Sequence, residues 1–596
     1  MIQHTRDMLF FMVQRRRWVQ RFTCAVFVLG TITSGLTAQV ITVSDGEVSD
    51  FGSTTAEMLT VEAGGTLNLS TGANFDFVGA APTTVNNAGV INTNPASDFQ
   101  LVRGVTNSGD INISSFGSAA ATNLEVQSAG ATLTGGGTIS LSGLNAGITA
   151  GVSGAGALTI GDQTVQGDGS LGRNTIAIIN SADGLIDSNL DEGILLIDAN
   201  TADGLTNAGA IQASNGGTLT INGTVVDNAG GTITAQAGST VLLDNGVTIN
   251  GGTVSSVGTG EVRTDTGSDV FLNGTTHSGS LISGVASDLG VSGTITNSGD
   301  INIDGGGSAA STNLEVQLAG ATLTGGGTLT LSGLNAGVTG VAGADALTIG
   351  DQTIQGDGSL GRNAVDISID AGATIDANVT DGLIVIDPAG ASSVALINNG
   401  TLRASNGGTL DSVHAVQNNG TIDVDNGTFS ALALSSEIGS VVSGDGDIVA
   451  DVISISGLLA PGDDLSAGTL ELSGSLNLDS DSTLEIDLFG LTEFDTVSVD
   501  SIVEALGTLE VSLSDDFTPN STDVFDILTA NPGFESDDFA LGVNFANVAS
   551  GERIFTTDGR GSFILETGGS VQLTNFEATA VPEPGSLTLG LSLIHI

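Results

Sequence analysis

The chain has 596 residues, a formal net charge of −54, 88 glycines, and neither lysine nor tyrosine. Five of its twelve arginines, with its only cysteine (Cys24) and only tryptophan (Trp18), lie in the N-terminal segment ending at Cys24, leaving seven arginines against 65 carboxylates beyond residue 38. That balance excludes a nucleic-acid or anionic-lipid surface, which needs cations to displace counterions, and a 40% hydrophobic content excludes the disordered acidic class.

The N-terminus reads as an export signal. Arg15 to Arg21 supply a basic segment, Phe22 to Leu36 an apolar one, and the small residues after it place cleavage between Ala38 and Gln39. The apolar stretch is shorter than the roughly 20 residues of a membrane span. Beyond it no cysteine remains, so the exported chain depends on its core rather than on disulfides.

From residue 39 to 455 the sequence is repetitive. TNLEVQSAGATLTGGGTISLSGLNAG at 122–147 recurs nearly unchanged at 312–337. The wider duplication spans about 106–174 and 296–363, with an offset of 190 residues that falls to 189 after a single deletion. Beneath it, Asn-x-Gly followed by a β-branched residue returns at Asn207, Asn228 and Asn250, and again at Asn399 and Asn419. Such a period, with strand-like pieces of three to six residues and no capped 3.6-residue periodicity, predicts an all-β fold. The expected architecture is a right-handed parallel β-helix with about 20–22 residues per coil. Asparagine and glycine should take the corners and aliphatic residues the interior. At this coil length one duplicated unit spans about nine coils, and the region as a whole roughly 20.

Phenylalanine changes the reading after GLLAPGDDLSAGTLELSG (457–474). Only Phe116, Phe271 and Phe429 lie between residues 100 and 488, whereas ten lie between Phe489 and Phe576. Large rings suit a wider core than a narrow coil. Residues 456–578 are therefore expected to form a small antiparallel β domain, which caps the open end of the helix.

The run PGDDLSAGTLELSGSLNLDSDSTLEIDLFG resembles the C-terminal passenger region of autotransporter β-helices, and it is similar to the same region of PEP-CTERM proteins. Val581-Pro582-Glu583-Pro584, within NFEATAVPEPGSL, resembles the PEP-CTERM sorting motif. The resemblance implies transient recognition by exosortase in a bacterium that makes exopolysaccharide. It also implies a location at the cell surface or in the extracellular matrix, with the membrane touched only through a C-terminal helix. Residues 579–596 hold the motif but not that helix or its basic cluster. LSLIHI (591–596) resembles a translated sequencing-adapter end, so the native C-terminus is expected to differ beyond about Gly590.

Parallel β-helices also house polysaccharide lyases and hydrolases, which need catalytic side chains in definite spacings. His277, His414 and His595 stand in no triad or metal spacing. Arg173 and Arg362, equivalent in the two GDGSLGRN copies, are expected to pair with Asp168 and Asp357 or with a turn carbonyl. GDGSLG contains G-x-G-x-x-G, but a strand-like segment follows it where a dinucleotide site needs a helix. VSGDGDIVAD (442–451) and DSDSTLEID (479–487) allow weak surface calcium binding and nothing stronger. No catalytic, cofactor or metal residue is assigned. The expectation is a non-enzymatic acidic rod associated with exopolysaccharide or the cell envelope, with a ligand-specific adhesin as the alternative.

Overall fold

The computed structural model describes residues 39–78, 84–116, 119–306, 310–390, 395–463, 465–530 and 543–579. No helix occurs among them; the chain is a parallel β-solenoid of about 19 turns. Each turn has three strands, and each strand pairs in parallel with the one a turn later. Val40–Val43 on a first face pairs with Met58–Val61, Val48–Phe51 on a second with Thr66–Leu69, and Thr54–Ala56 on a third with Asn74–Phe77.

Alternation builds these strands. In Thr218–Asn222 the side chains of Leu219 and Ile221 point inward and are fully buried, while Thr220 stands outside. Glycine or asparagine then turns the corner, as at Asn245, Asn406 and Asn426, whose φ angles are 54°, 54° and 53°. Turn length varies more than the sequence period suggested. The turn that brings Val40 under Met58 is shorter than expected, and the one that brings Gly104 under Thr132 is longer. Corners absorb the difference, because only the strands must stay in register.

The interior also holds polar stacks. Asn180 Nδ2 donates to Asn207 Oδ1 at 2.8 Å, and Asn207 Nδ2 donates to Asn228 Oδ1 at 2.7 Å, all three fully buried on the first face. On the second face Asn398 donates to Asn418 at 2.8 Å, and Asn418 to Ser436 at 3.1 Å. Asn399 and Asn419 form a separate, exposed ladder at 3.0 Å. In INNG it is thus the first asparagine that is inside, one residue from the marks the sequence suggested.

Outside ladders run in the opposite sense. Asn112 donates to Asn92, Asn92 to Asn68, and Asn68 to Asp50. Gln236 donates to Gln212, and Gln212 to Asp187. An ionised carboxylate accepts only, so the aspartate at the N-terminal end fixes the direction of every amide above it.

The duplication does not span a whole number of turns. Phe99 lies on the third face, over Phe75, whereas Leu289, its counterpart in the second copy, lies on the first face, over Val270. Twenty-five strands separate the two positions, eight turns and one strand over, rather than nine coils. Every element of the second copy therefore sits one face on from its counterpart, and the polar stack moves with it.

Rings also enter the coils. Phe75 and Phe99 are fully buried in adjacent turns and stack at 5.2 Å, flanked by Phe51 and Phe77. Register stacks one ring on the next there, whereas Phe429 is buried between Leu410 and Ile448 of the adjacent turns, so a narrow coil accepts a phenylalanine with aliphatic neighbours as well.

Parallel pairing passes through residue 455 without interruption. Ile448 pairs with Leu472, Thr483–Leu488 with Thr508–Leu513, and Val497 with Leu528. Only the last part of the segment expected to be antiparallel is so. Phe525–Ala530 pairs antiparallel with Val571–Ala578, which also pairs with Gly561–Thr567. Phe525 is the hub there, edge-on to Phe494, Phe517 and Phe563. The final parallel edge is covered by residues 543–547. The N–H of Asn544 donates to Ala505 O, and the Asn547 side chain bonds both N–H and C=O of Leu509, standing in for a further strand.

Candidate functional site

The duplicated arginines form the first constellation. Arg173 is at φ 49° and Arg362 at φ 47°, which aims each guanidinium back across the preceding coils. Arg173 donates to Ser170 Oγ (2.6 Å), Asn123 Oδ1 (2.9 Å) and the carbonyl of Asn145 (3.0 Å). Arg362 repeats this with Ser359 (2.6 Å), Asn313 (2.6 Å) and Asn335 O (3.0 Å). Asn123 in turn donates to Asp98, and Asn313 to Asp288.

Glycine makes the trough for each guanidinium. A Cβ on Gly147 would lie 2.8 Å from Arg173 Nη2, and one on Gly337 would lie 2.6 Å from Arg362 Nε. Of the two expected partners, the turn carbonyl is the one found. Asp168 and Asp357 instead accept the N–H groups of Gly143 and Gly333. Burial holds both arginines below their ordinary pKa, opposed by Asp98 and Asp288. Each nitrogen of the two guanidiniums donates to the fold, and the groups serve as braces across three coils. Near the first brace, burial, then Asp98 and Asp76, push the Glu125 carboxyl up to about 7.

A second constellation, which sequence reasoning passed over, surrounds Arg403. Its Nε lies 3.2 Å from Asp423 and its Nη2 lies 2.7 Å from Asp425. They line a hollow of about 220 Å³ with Asp445 and Asp463. Burial opposes the charge of Arg403, yet Asp425, Asp423 and Asp376 together hold it above its ordinary pKa. Burial raises Asp423 against the relief from Arg403, and Asp425, Asp376 and Asp445 add to the rise. The signal in sequence was the i, i+2 pair in TIDVDN, which a strand places on one face, opposite the arginine of TLRAS one coil earlier.

Neither calcium candidate collects ligands. Asp445 accepts the N–H of Asn426, Asp479 accepts from Ser456 and caps its own turn, and Asp487 accepts from Ser512. No group of three His, Cys, Asp or Glu side chains among the described residues is arranged to hold a metal.

The G-x-G-x-x-G glycines lie in stacked coils with strand after them, not helix. Gly167 approaches Leu141 O so closely that a Cβ would stand 2.1 Å from it. His277 and His414 are both buried. A hollow of about 310 Å³ beside His414 is bordered by Ile367, Pro388, Leu396 and Ile397, where the strands pair only at Ile369 and Asn398. Gln39 is exposed. Ala38, His595, the rest of the export segment, and Val581, Pro582, Glu583 and Pro584 lie outside the described residues.

No protein-family model matches the sequence, and no curated protein is significantly similar to it.

Proposed function

We propose that this is an exported, non-enzymatic protein of the cell surface or extracellular matrix, sorted by exosortase, that acts as an acidic β-helical spacer within exopolysaccharide. The observation that carries the reading is what its few cations do. Of the seven arginines beyond residue 38, Arg173, Arg362, Arg403, Arg553 and Arg560 are tied into braces, ion pairs or carbonyl clusters. Outward strand positions such as Thr220, Gln212 and Asp423 carry hydroxyls, amides and carboxylates, with Arg263 and a few aliphatic side chains such as Ile179, Ile194 and Val225 among them. Such a surface is strongly hydrated and repels its own copies. The export segment and the Val-Pro-Glu-Pro motif support the location.

An adhesin is the second reading, favoured by one observation. Leu144 and Leu334, equivalent in the two copies, are each 71% exposed, and the one-face offset aims them in different directions.

Cell fractionation of an exosortase-bearing host, with Pro582→Ala and Pro584→Ala together as the control, tests the location. The wild type should reach the surface or matrix, and the double variant should accumulate before sorting. Turnover of acidic polysaccharide that is lost in Arg173→Ala with Arg362→Ala would overturn the non-enzymatic assignment. A saturable hit on a glycan array, with or without Ca²⁺, would favour the adhesin.

A further inference from the structure

His277 occupies a place in the interior that the first copy fills with an amide. One coil before the duplicated segment, it lies at the same 190-residue offset from Asn87 and stands in register beneath Asn297, as Asn87 stands beneath Asn107. Asn87 donates to Asn107 Oδ1 at 2.7 Å and to Asp110 O at 3.0 Å, so both of its N–H groups serve the stack, although its own Oδ1 has no partner. His277 is fully buried. Its Nδ1 faces Val254 O at 3.0 Å and its Nε2 faces Gly279 O at 3.2 Å.

Both neighbours are acceptors, and a neutral imidazole has one N–H. Either tautomer therefore turns a lone pair toward a carbonyl, while the imidazolium satisfies both but places a charge where no water reaches. The same coil carries a second polar exception. Thr275 stands where the first copy has Val85, and its hydroxyl is buried with no hydrogen-bond partner. One coil thus combines an orphaned hydroxyl with a ring that no single protonation state suits.

We infer that the coil around His277 is an acid-sensitive seam, held closed by the neutral ring and opened locally when the ring takes a proton. Charged groups near the ring are few. Thr253–Ser256, Thr276–Ser278 and Ser280–Ser283 carry none; Asp288–Asn297 carries Asp288, on the first face, and Asp300–Asp304 carries Asp300 and Asp304. Burial is the largest influence and holds the His277 pKa below its ordinary value, against the backbone of Val254, Gly279 and Asp300 and the charge of Asp300. A base depressed in the closed state binds more protons when open, so closure is complete above about pH 6.5 and weakens below it.

The size of the effect follows from the open-state pKa. A ring that stayed wholly neutral when closed would give an opening constant about tenfold larger at pH 5.5 than at pH 7.5, which is the upper bound of the effect. Hydrogen exchange on the full chain, corrected for intrinsic rates, reads this directly at residues 254–256, 276–279 and 296–300. Wild type should lose protection there between the two pH values, by at most about tenfold, whereas coils around Asn207 should not change by that step. His277→Asn, which installs the residue of the first copy, should abolish the step. Thr275→Val should raise protection at both pH values and keep it. Equal or greater protection of wild type at pH 5.5 overturns the inference, as does an undiminished step in His277→Asn. If that variant does not fold, an unchanged His277 ring signal by NMR from pH 7.5 to 5 in Thr275→Val, with no step in exchange, overturns it equally.

Discussion

Asn207 tests whether the buried stack is a structural necessity or a by-product of turn chemistry. Its amide receives one hydrogen bond from Asn180 and gives two, to Asn228 Oδ1 (2.7 Å) and to Thr232 O (3.2 Å). Asn207→Ala removes all three. Asn180 Nδ2 keeps Ala210 O, but Asn228 Oδ1 loses this donor inside the core. A buried acceptor left unpaired costs about 1–3 kcal/mol, and the lost contacts of the amide bring the total to about 2–4 kcal/mol. The control is Asn419→Ala on the exposed ladder, where water replaces the bond to Asn399, with an expected cost below about 0.5 kcal/mol. Stacked turns need not unfold in one step, so the proper readout is the local opening free energy from amide exchange at Ala210–Ala213 and Thr232–Ala235. A cost for Asn207→Ala below about 0.5 kcal/mol, or one no larger than that of Asn419→Ala, would refute the argument.

Asp495 is almost wholly buried and accepts the N–H groups of Gly468 and Asp487, both at 2.9 Å; burial nonetheless pushes its carboxyl up to about 7. Its pKa is higher folded than unfolded, so its stabilising contribution is complete below about pH 4 and lost as pH rises through 7. The difference in exchange protection at Gly468 and Asp487 between wild type and Asp495→Asn should therefore vary across that window and be constant above about pH 8. Glu125→Gln, at a half-buried site with the same direction of shift, should raise local stability above pH 7 and leave it unchanged at pH 4, as read by exchange at Thr122–Val126. Arg403→Met should cost on the order of 1 kcal/mol at pH 7, because Asp423 and Asp425 then repel without a partner, and less at pH 4, since burial holds Asp423 above the ordinary carboxylate pKa. A chemical denaturation series at the two pH values measures it.

Strand alternation and corner residues were legible in the sequence because each has a local cause. Inward Leu219 and Ile221 follow from a period of two, and Asn245 and Asn426 from their tolerance of positive φ. What escaped depends on the neighbouring coil. In INNG either asparagine can face inward, and only the register of Leu396–Asn398 beneath Val416–Asn418 decides it. The strands at 483–488 and 508–513 alternate equally well in either direction, so alternation cannot distinguish parallel from antiparallel pairing. The braces at Arg173 and Arg362 were visible as candidates, but their partners lie two coils back, at Asn123 and Asn313.

The one-strand remainder in the duplication has a consequence for how such a chain can grow. If a full turn were its unit, an added block would have to close on the face where it began, or the ladder would break. Here the second copy begins one face late and the ladder continues. The unit of growth is therefore the strand with its corner, and the three faces are interchangeable phases of a screw. Unequal recombination then has three times as many permissible lengths, and each new copy presents its loops along a fresh bearing.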